Sequence, residues 1–129
     1  MARSIDDTVL DAALNDLKTN VNQIVLCEGQ PLTYAEATTL KSAAGKKLAS
    51  IAVVSTDFTI ANGDVSGRKV TLAGKSGTVT ESGNYDHIAW VDTVNLVLKN
   101  VSVGTLQALT AANPVNTPAH KFEIKDPTA

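Results

Sequence analysis

The chain has 129 residues, a net charge of −2 and a hydrophobic fraction of 43%, which fit one globular domain that can bury a core. No basic run exceeds two residues, so the sequence lacks the concentrated positive charge typical of nucleic-acid-binding proteins. Cys27 is the only cysteine, which excludes an intrachain disulfide. We also find no apolar leader and no apolar run near the ~18 residues that span a bilayer, and therefore expect folding in a reducing cytoplasm without membrane association.

Residues 1–20 are predicted to form an added N-terminal α-helix. Ser4 is placed to cap it, and Asp7 follows three residues later, as in a capping box. Apolar residues recur at helical spacing and form one stripe, which consists of Val9, Leu10, Ala13, Leu14 and Leu17. An amphipathic helix must lie against something, so this stripe is our candidate protein interface. The alternative is that the helix covers the sheet of its own domain.

Residues 21–47 are predicted to hold a strand, a short helix and a loop. Gln23 to Cys27 is an apolar run of strand length, and Cys27 at its end is most simply a small buried hydrophobe; a lone cysteine would also permit a contact between chains. Thr33 and Glu36 again have capping-box spacing, which predicts a helix from Tyr34 to about Thr39. Residues 42–46 are predicted to be a flexible connection.

Residues 48–129 are predicted to form a β-sandwich body. Apolar residues alternate with polar ones in several short segments, which Gly, Asn and Asp turns separate. Ile88 and Trp90 share one face of such a strand, so Trp90 is predicted to lie in the core, and Phe122 and Ile124 mark a final strand. The fold class is therefore mainly β, an antiparallel β-sandwich or partly open barrel with the added helix.

The reactive side chains form no catalytic or metal-binding motif. His87 and His120 lack metal spacing and are most simply surface or edge-strand histidines. Sequence separation leaves open a nucleophilic pair of His87 with Cys27 or with a serine, but no local signature supports one. We expect no enzymatic activity, no cofactor and no metal.

Five segments resemble a small group of proteins from tailed bacteriophages. The group begins with a TVLDAAL helix, has a strand that ends in Cys, and then carries a Pro-x-Thr-Tyr-x-Glu-Ala segment; later come an Asp-x-Ser-Gly-Arg-Lys-Val hairpin and a Gly-x-x-x-His-Ile-Ala strand. The matching positions cover nearly the whole chain and are Thr8 to Leu14, Cys27, Pro31 to Ala37, Asp64 to Val70 and Gly83 to Asp92. The residues around Gln30 and the lysine-rich stretch 41–47 differ from the group.

The resemblance implies a structural protein of the virion that decorates or cements the head shell, in multiple copies or as a homo-oligomer, with the major capsid protein or other virion proteins as partners. It brings no catalytic residues. A tail or neck protein is the nearest alternative. A carbohydrate-binding or adhesive module is a third possibility, for which Tyr34 and Tyr85 are the candidate exposed aromatics.

Overall fold

The computed structural model describes residues 5–126, in which two α-helices and nine strands alternate with short connections. The elements in chain order are α1 Asp7–Asn20, β1 Gln23–Cys27, α2 Tyr34–Thr38, β2 Lys47–Ala52, β3 Phe58–Asn62, β4 Arg68–Leu72, β5 Lys75–Thr78, β6 Gly83–Asp92, β7 Val97–Leu109, β8 Pro114–Thr117 and β9 His120–Ile124. The predicted strand Gln23 to Cys27 has the predicted bounds, and α2 begins after Thr33, whose hydroxyl accepts a hydrogen bond from the backbone N–H of Glu36.

Antiparallel pairing organises the strands into three sheets. A four-stranded sheet has the order β2-β1-β6-β7, a three-stranded sheet has the order β3-β4-β9, and β5 pairs with β8. The two larger sheets pack face to face around a shared apolar core, as in a β-sandwich. The predicted fold class is therefore confirmed in its sandwich form, and residues 5–126 form no closed barrel.

The central strand β1 is buried on both faces. Ile24 and Leu26 point into the main core, whereas Val25 and Cys27 point to the opposite face of the sheet, where Ala37 of α2 covers them. Successive strand residues alternate between faces, so a strand covered on both sides needs apolar residues at every position. This explains why Gln23 to Cys27 reads as a continuous apolar run.

Trp90 on β6 occupies the centre of the main core and is fully buried. Its Cα is paired with that of Ile24 on β1, and its ring meets Phe58 of β3 edge-on at 5.4 Å between centroids. Ile88 belongs to the same cluster. The predicted core position of Trp90, on one face with Ile88, is confirmed.

The N-cap of helix α1 lies two residues later than predicted. Asp6, not Ser4, is the N-cap, because its carboxylate accepts a hydrogen bond from the backbone N–H of Thr8; Ser4 lies outside the described residues. The candidate interface stripe divides: Leu10, Leu14 and Leu17 are buried, while Val9 (61% exposed) and Ala13 are exposed. The apolar stripe thus packs on its own domain, mainly against β3 and β4.

Residues 42–46 are not the loose connection that their composition predicts. A short 3-10 turn over Lys41–Ala43 is held to the sheet by an ion pair of Lys41 with Glu28 at 2.6 Å and by a hydrogen bond from the Ser42 hydroxyl to Glu81 at 2.8 Å. Lys46 N–H also donates to the Glu36 carbonyl. These partners are distant in sequence, so local composition could not reveal them.

The β3–β4 hairpin closes at the predicted turn and anchors α1. Gly63 N–H donates to the Gly67 carbonyl, and Gly67 adopts a left-handed conformation with a φ of 70°. A Cβ at Gly67 would lie 1.9 Å from the Ile124 carbonyl oxygen, so no larger residue fits. Arg68 then reaches from the hairpin to Asp11 of α1, with 2.8 Å between Nε and Oδ1.

We predict that truncating the buried part of α1 destabilises the whole domain. Leu14→Ala should lower the free energy of unfolding by about 2–5 kcal/mol, because it leaves a cavity in the main core. Val9→Ala, at an exposed position of the same helix, should change the free energy of unfolding by less than ~0.5 kcal/mol. Urea unfolding followed by circular dichroism measures both. Equal small effects would mean that α1 does not belong to the core.

Candidate functional site

Cys27, His87 and Asp86 come together on the four-stranded sheet. Cys27 and His87 are direct cross-strand partners on β1 and β6, and His87 Nδ1 lies 2.8 Å from Asp86 Oδ1. The same Asp86 oxygen accepts a hydrogen bond from Gly29 N–H. The two bonds lower the pKa of Asp86, and the bond with His87 has the larger effect. The arrangement outwardly resembles a cysteine–histidine–carboxylate triad.

The Cys27 thiol is not prepared for nucleophilic chemistry. Its Sγ faces the carbonyl oxygens of Val25 and Ala37 at 3.8 and 4.0 Å, and the residue is fully buried. Burial raises its pKa to about 12, so it is a protonated thiol at neutral pH, whereas a cysteine nucleophile needs a lowered pKa. Full burial also keeps this thiol away from a cysteine of another chain.

His120 lies on β9, an edge strand, as predicted, but its ring is part of the interior hydrogen bonding. The indole N–H of Trp90 donates to His120 Nε2 at 2.8 Å, and His120 Nδ1–H donates to the Pro118 carbonyl at 3.2 Å. Both ring nitrogens are thus engaged by the neutral tautomer that carries its proton on Nδ1. Burial lowers the pKa of His120. His87 is also half-buried and lies on the central strand β6, not on an edge.

A cleft of about 570 Å³ opens where the two large sheets diverge. Its walls come from β6 and β7 on one side and from β4 and β9 on the other; β7 and β9 are the outer strands of their sheets. The lining residues are Lys69, Thr71, Tyr85, Ile88, Ser102, Val103, Gly104, Thr105, Pro118, Ala119, His120 and Lys121. The volume lies within the ~300–1,000 Å³ of sites that hold small molecules or side chains.

The lysines at the cleft are already paired. Asp64 forms an ion pair with Lys69 at 2.6 Å and a second ion pair with Lys121. Lys121 also lies 3.4 Å from Glu123. The positive charges at the cleft are therefore matched by carboxylates. Val103 is 81% exposed, but as the register partner of His87 its side chain points to the opposite face of the sheet.

The β6–β7 hairpin ends in a rigid loop, residues 92–97, which we call the hairpin tip. Asp92, only 1% exposed, accepts hydrogen bonds from the backbone N–H groups of Val94 and Asn95 and from the Asn95 side chain. These bonds lower the pKa of Asp92, and the bond from the Asn95 side chain has the largest effect. Asn22, which precedes β1, holds the loop through two hydrogen bonds with Thr93. Its side-chain amide donates to the Thr93 hydroxyl and accepts from the Thr93 backbone N–H.

The hairpin tip displays apolar side chains and carries backbone strain. Val94 is 80% exposed and Leu96 is 64% exposed. Leu96 adopts a φ of 59°, in the left-handed region, where glycine or asparagine is the usual residue. A left-handed conformation costs an L-residue roughly 1–2 kcal/mol. A large apolar residue is therefore held in water and in strain at the same position, a combination that folding alone does not favour.

The cleft and the hairpin tip were not predicted from sequence. The cleft depends on how the sheets diverge, which no local pattern encodes. The tip had a partial signal: Asp92-Thr93 predicts a turn, but Asn95 to Lys99 is predicted as a strand, which begins only at Val97 in the structure. Neither tyrosine is an exposed platform, because Tyr85 is buried in the main core and Tyr34 packs beside Cys27.

Within residues 5–126, no group of three or more His, Cys, Asp or Glu side chains could hold a metal ion, and no helix is long and apolar enough to cross a membrane. Comparisons of the chain with protein-family models, with curated proteins and with solved structures find no match.

We predict that His120 makes stability fall in mild acid. Its pKa is lowered in the folded state, so the unfolded chain binds more protons below its ordinary pKa of about 6.5, and unfolding is favoured as pH falls through that value. Protonation at Nε2 would also remove the acceptor for Trp90. His120→Gln keeps an acceptor without titrating, and should flatten the stability profile between pH 7 and 5 in urea titrations. A wild-type slope in His120→Gln would contradict the prediction.

Leu96→Asn should stabilise the fold, because asparagine adopts the left-handed conformation at lower cost. We expect a gain of up to about 1 kcal/mol in the free energy of unfolding. Leu106→Asn, at a similarly exposed residue of β7 without a positive φ, should give no gain. Thermal unfolding compares the two. A loss of stability in Leu96→Asn would mean that the leucine supports the fold.

Proposed function

We propose that this chain is a structural component of a bacteriophage particle, a decoration or cement protein that binds the head shell. The observation that carries the proposal is the resemblance of five segments to proteins of tailed bacteriophages. Each matching segment coincides with a fold-determining feature: α1, the end of β1, α2 with its cap, the β3–β4 hairpin, and β6. The resemblance thus rests on residues that specify an architecture and not on an isolated short motif.

The distribution of reactive and apolar groups fits a protein that works by contact. Cys27 is buried and protonated, and both nitrogens of His120 bond within the domain. The hairpin tip and strand β7, by contrast, display Val94, Leu96 and Val103 to solvent. Exposed apolar groups on a rigid scaffold are the usual basis of protein–protein association.

The proposed partners are the major capsid protein and neighbouring copies of the chain, and the proposed location is the virion, after synthesis in the host cytoplasm. A tail or neck position is the alternative. A carbohydrate-binding module is less favoured, because Tyr85 is buried and Tyr34 packs against the Cys27 cluster, which leaves neither as a stacking platform.

Quantitative mass spectrometry of purified virions from the phage that encodes this chain tests the proposal. A decoration protein should be present at a copy number comparable with that of the shell subunit, and recombinant protein should rebind heads of particles that lack it. A small fixed number of copies would place the chain in the tail or neck. Absence from virions would overturn the proposal.

A further inference from the structure

Strand β7 is a long edge of the four-stranded sheet, with 13 residues. An open edge leaves a row of backbone N–H and C=O groups unpaired, and proteins usually discourage strand addition there with charged residues, proline or a short strand. Lys99 is the only charged residue of β7, and the strand contains no proline. By contrast β9, an edge of the three-stranded sheet, is short and carries Lys121 and Glu123. The charges that normally protect an edge are therefore missing from most of β7.

The backbone groups that face the open side of β7 follow from the geometry of β6. The Ile88 carbonyl lies 3.5 Å from the Ser102 hydroxyl, which places it on the β7 side of β6, whereas the Val91 carbonyl accepts a hydrogen bond from the segment that precedes β1. Backbone groups along an antiparallel strand alternate between its two neighbours. Ser102, the register partner of Ile88, therefore directs its N–H and C=O towards β6, and Val101 and Val103 direct theirs to the open side.

Val101 and Val103 also share a side-chain face. They lie in the regular part of the ladder, between two irregularities in the β6–β7 register, and their partners on β6 are Ala89 and His87. This face is opposite the main core. Val101 packs there beside α2, and Val103 is 81% exposed. Within residues 5–126, no backbone group outside β6 bonds to either valine. The edge thus combines free backbone groups with an apolar side chain in water.

A second copy of β7 fits this edge in one register. With a twofold axis at Ser102, an antiparallel copy pairs Val101 of each molecule with Val103 of the other. Both valines direct their backbone groups outward, so these pairs are of the hydrogen-bonded kind, in which the two residues exchange N–H···O=C bonds. The valines of both copies then form one cross-strand cluster, and β-branched residues are favourable neighbours in sheets.

The same register keeps like charges apart. Lys99 lies three positions from the axis in each copy, so the two lysines are separated by about 20 Å at ~3.3 Å per residue. Each is already paired with Asp16 of its own chain at 2.9 Å. A strand of another protein can meet the same backbone groups, but the valine pairing and the separation of the lysines follow from this chain's own sequence. The edge is therefore complementary to itself.

We infer that the chain forms a twofold-symmetric dimer through antiparallel pairing of β7 with β7 of a second copy, which joins the two four-stranded sheets into one continuous sheet. The contact is isologous, since the same surface of each copy takes part, and it closes at the dimer. It covers Val103, whose exposed side chain the isolated domain does not explain. The inference concerns the purified protein and does not rest on the proposed role in the virion.

Val103→Pro tests the backbone pairing. It removes an N–H that faces the open side, and proline is tolerated at such positions of edge strands, so the variant should fold, which circular dichroism checks. Val103→Thr is the matched control, because it keeps the N–H and the branched shape. In sedimentation equilibrium from micromolar to millimolar protein, we expect the wild type to form dimers and nothing larger. The dissociation constant should rise by about tenfold or more in Val103→Pro, which loses two symmetry-related hydrogen bonds, and clearly less in Val103→Thr.

Ser102→Cys tests the register. On the twofold axis the two copies of residue 102 form a non-hydrogen-bonded pair, with Cα atoms ~4.5 Å apart, a separation that a disulfide can bridge. Air oxidation should therefore produce a cross-linked dimer, which non-reducing gel electrophoresis detects. Thr105→Cys is the control, since Thr105 is exposed on the same strand but lies away from the axis, and it should cross-link far more slowly. The native Cys27 is buried in both variants and takes no part.

Three results would overturn the inference. The first is a wild type that stays monomeric at millimolar concentration; if Val103→Pro nevertheless loses binding to phage heads, a strand of another protein uses the edge, and the proposed function stands. The second is a folded Val103→Pro variant that dimerises like the wild type. The third is a Ser102→Cys variant that cross-links no faster than Thr105→Cys, and this comparison decides the matter if the proline variant does not fold.

Discussion

The buried indole of Trp90 constrains the sandwich more than any other group. A buried N–H must find an acceptor, because an unpaired one costs about 1–3 kcal/mol, and the acceptor here is His120 Nε2 on the other sheet. The same ring packs edge-on against Phe58. One residue of β6 therefore fixes the positions of β3 and β9 relative to the four-stranded sheet, and the bond works only while His120 is neutral. The cleft opens beside this bond, with His120 in its wall.

Burial on both faces of the four-stranded sheet determines what its reactive groups can do. Helix α2 covers the face opposite the main core, and Cys27 lies beneath it. The resulting desolvation disfavours the thiolate, so the proximity of His87 and Asp86 produces no activated nucleophile. The strand register alone, which pairs Cys27 with His87 beside Asp86, would have suggested a triad. The burial of the thiol and its orientation towards two carbonyl oxygens decide otherwise.

Local signals predicted the features that local forces determine. The apolar run of β1, the Thr33 cap and the Gly63 to Gly67 turn depend on neighbours within a few residues, and sequence analysis found each of them. The predictions were wrong where distant partners decide. The segment 42–46 is held by hydrogen bonds to Glu36 and Glu81, and His87 lies on an inner strand of the four-stranded sheet. The stripe of α1 was visible as a pattern, but only the packing against β3 and β4 shows that Leu10, Leu14 and Leu17 cover their own domain.

The surface features were beyond sequence analysis for a different reason. Hydrophobic periodicity identifies residues that are buried, so Val94, Leu96 and Val103 read as imperfect continuations of strands. Their exposure becomes informative only together with backbone geometry. An exposed valine is unremarkable by itself, but a leucine in the left-handed region, on a loop fixed by a fully buried carboxylate, combines strain with solvent exposure. Strain that the fold does not require tends to occur where a residue acts on something outside the domain. The same hairpin that completes the four-stranded sheet therefore also displays a strained, exposed leucine.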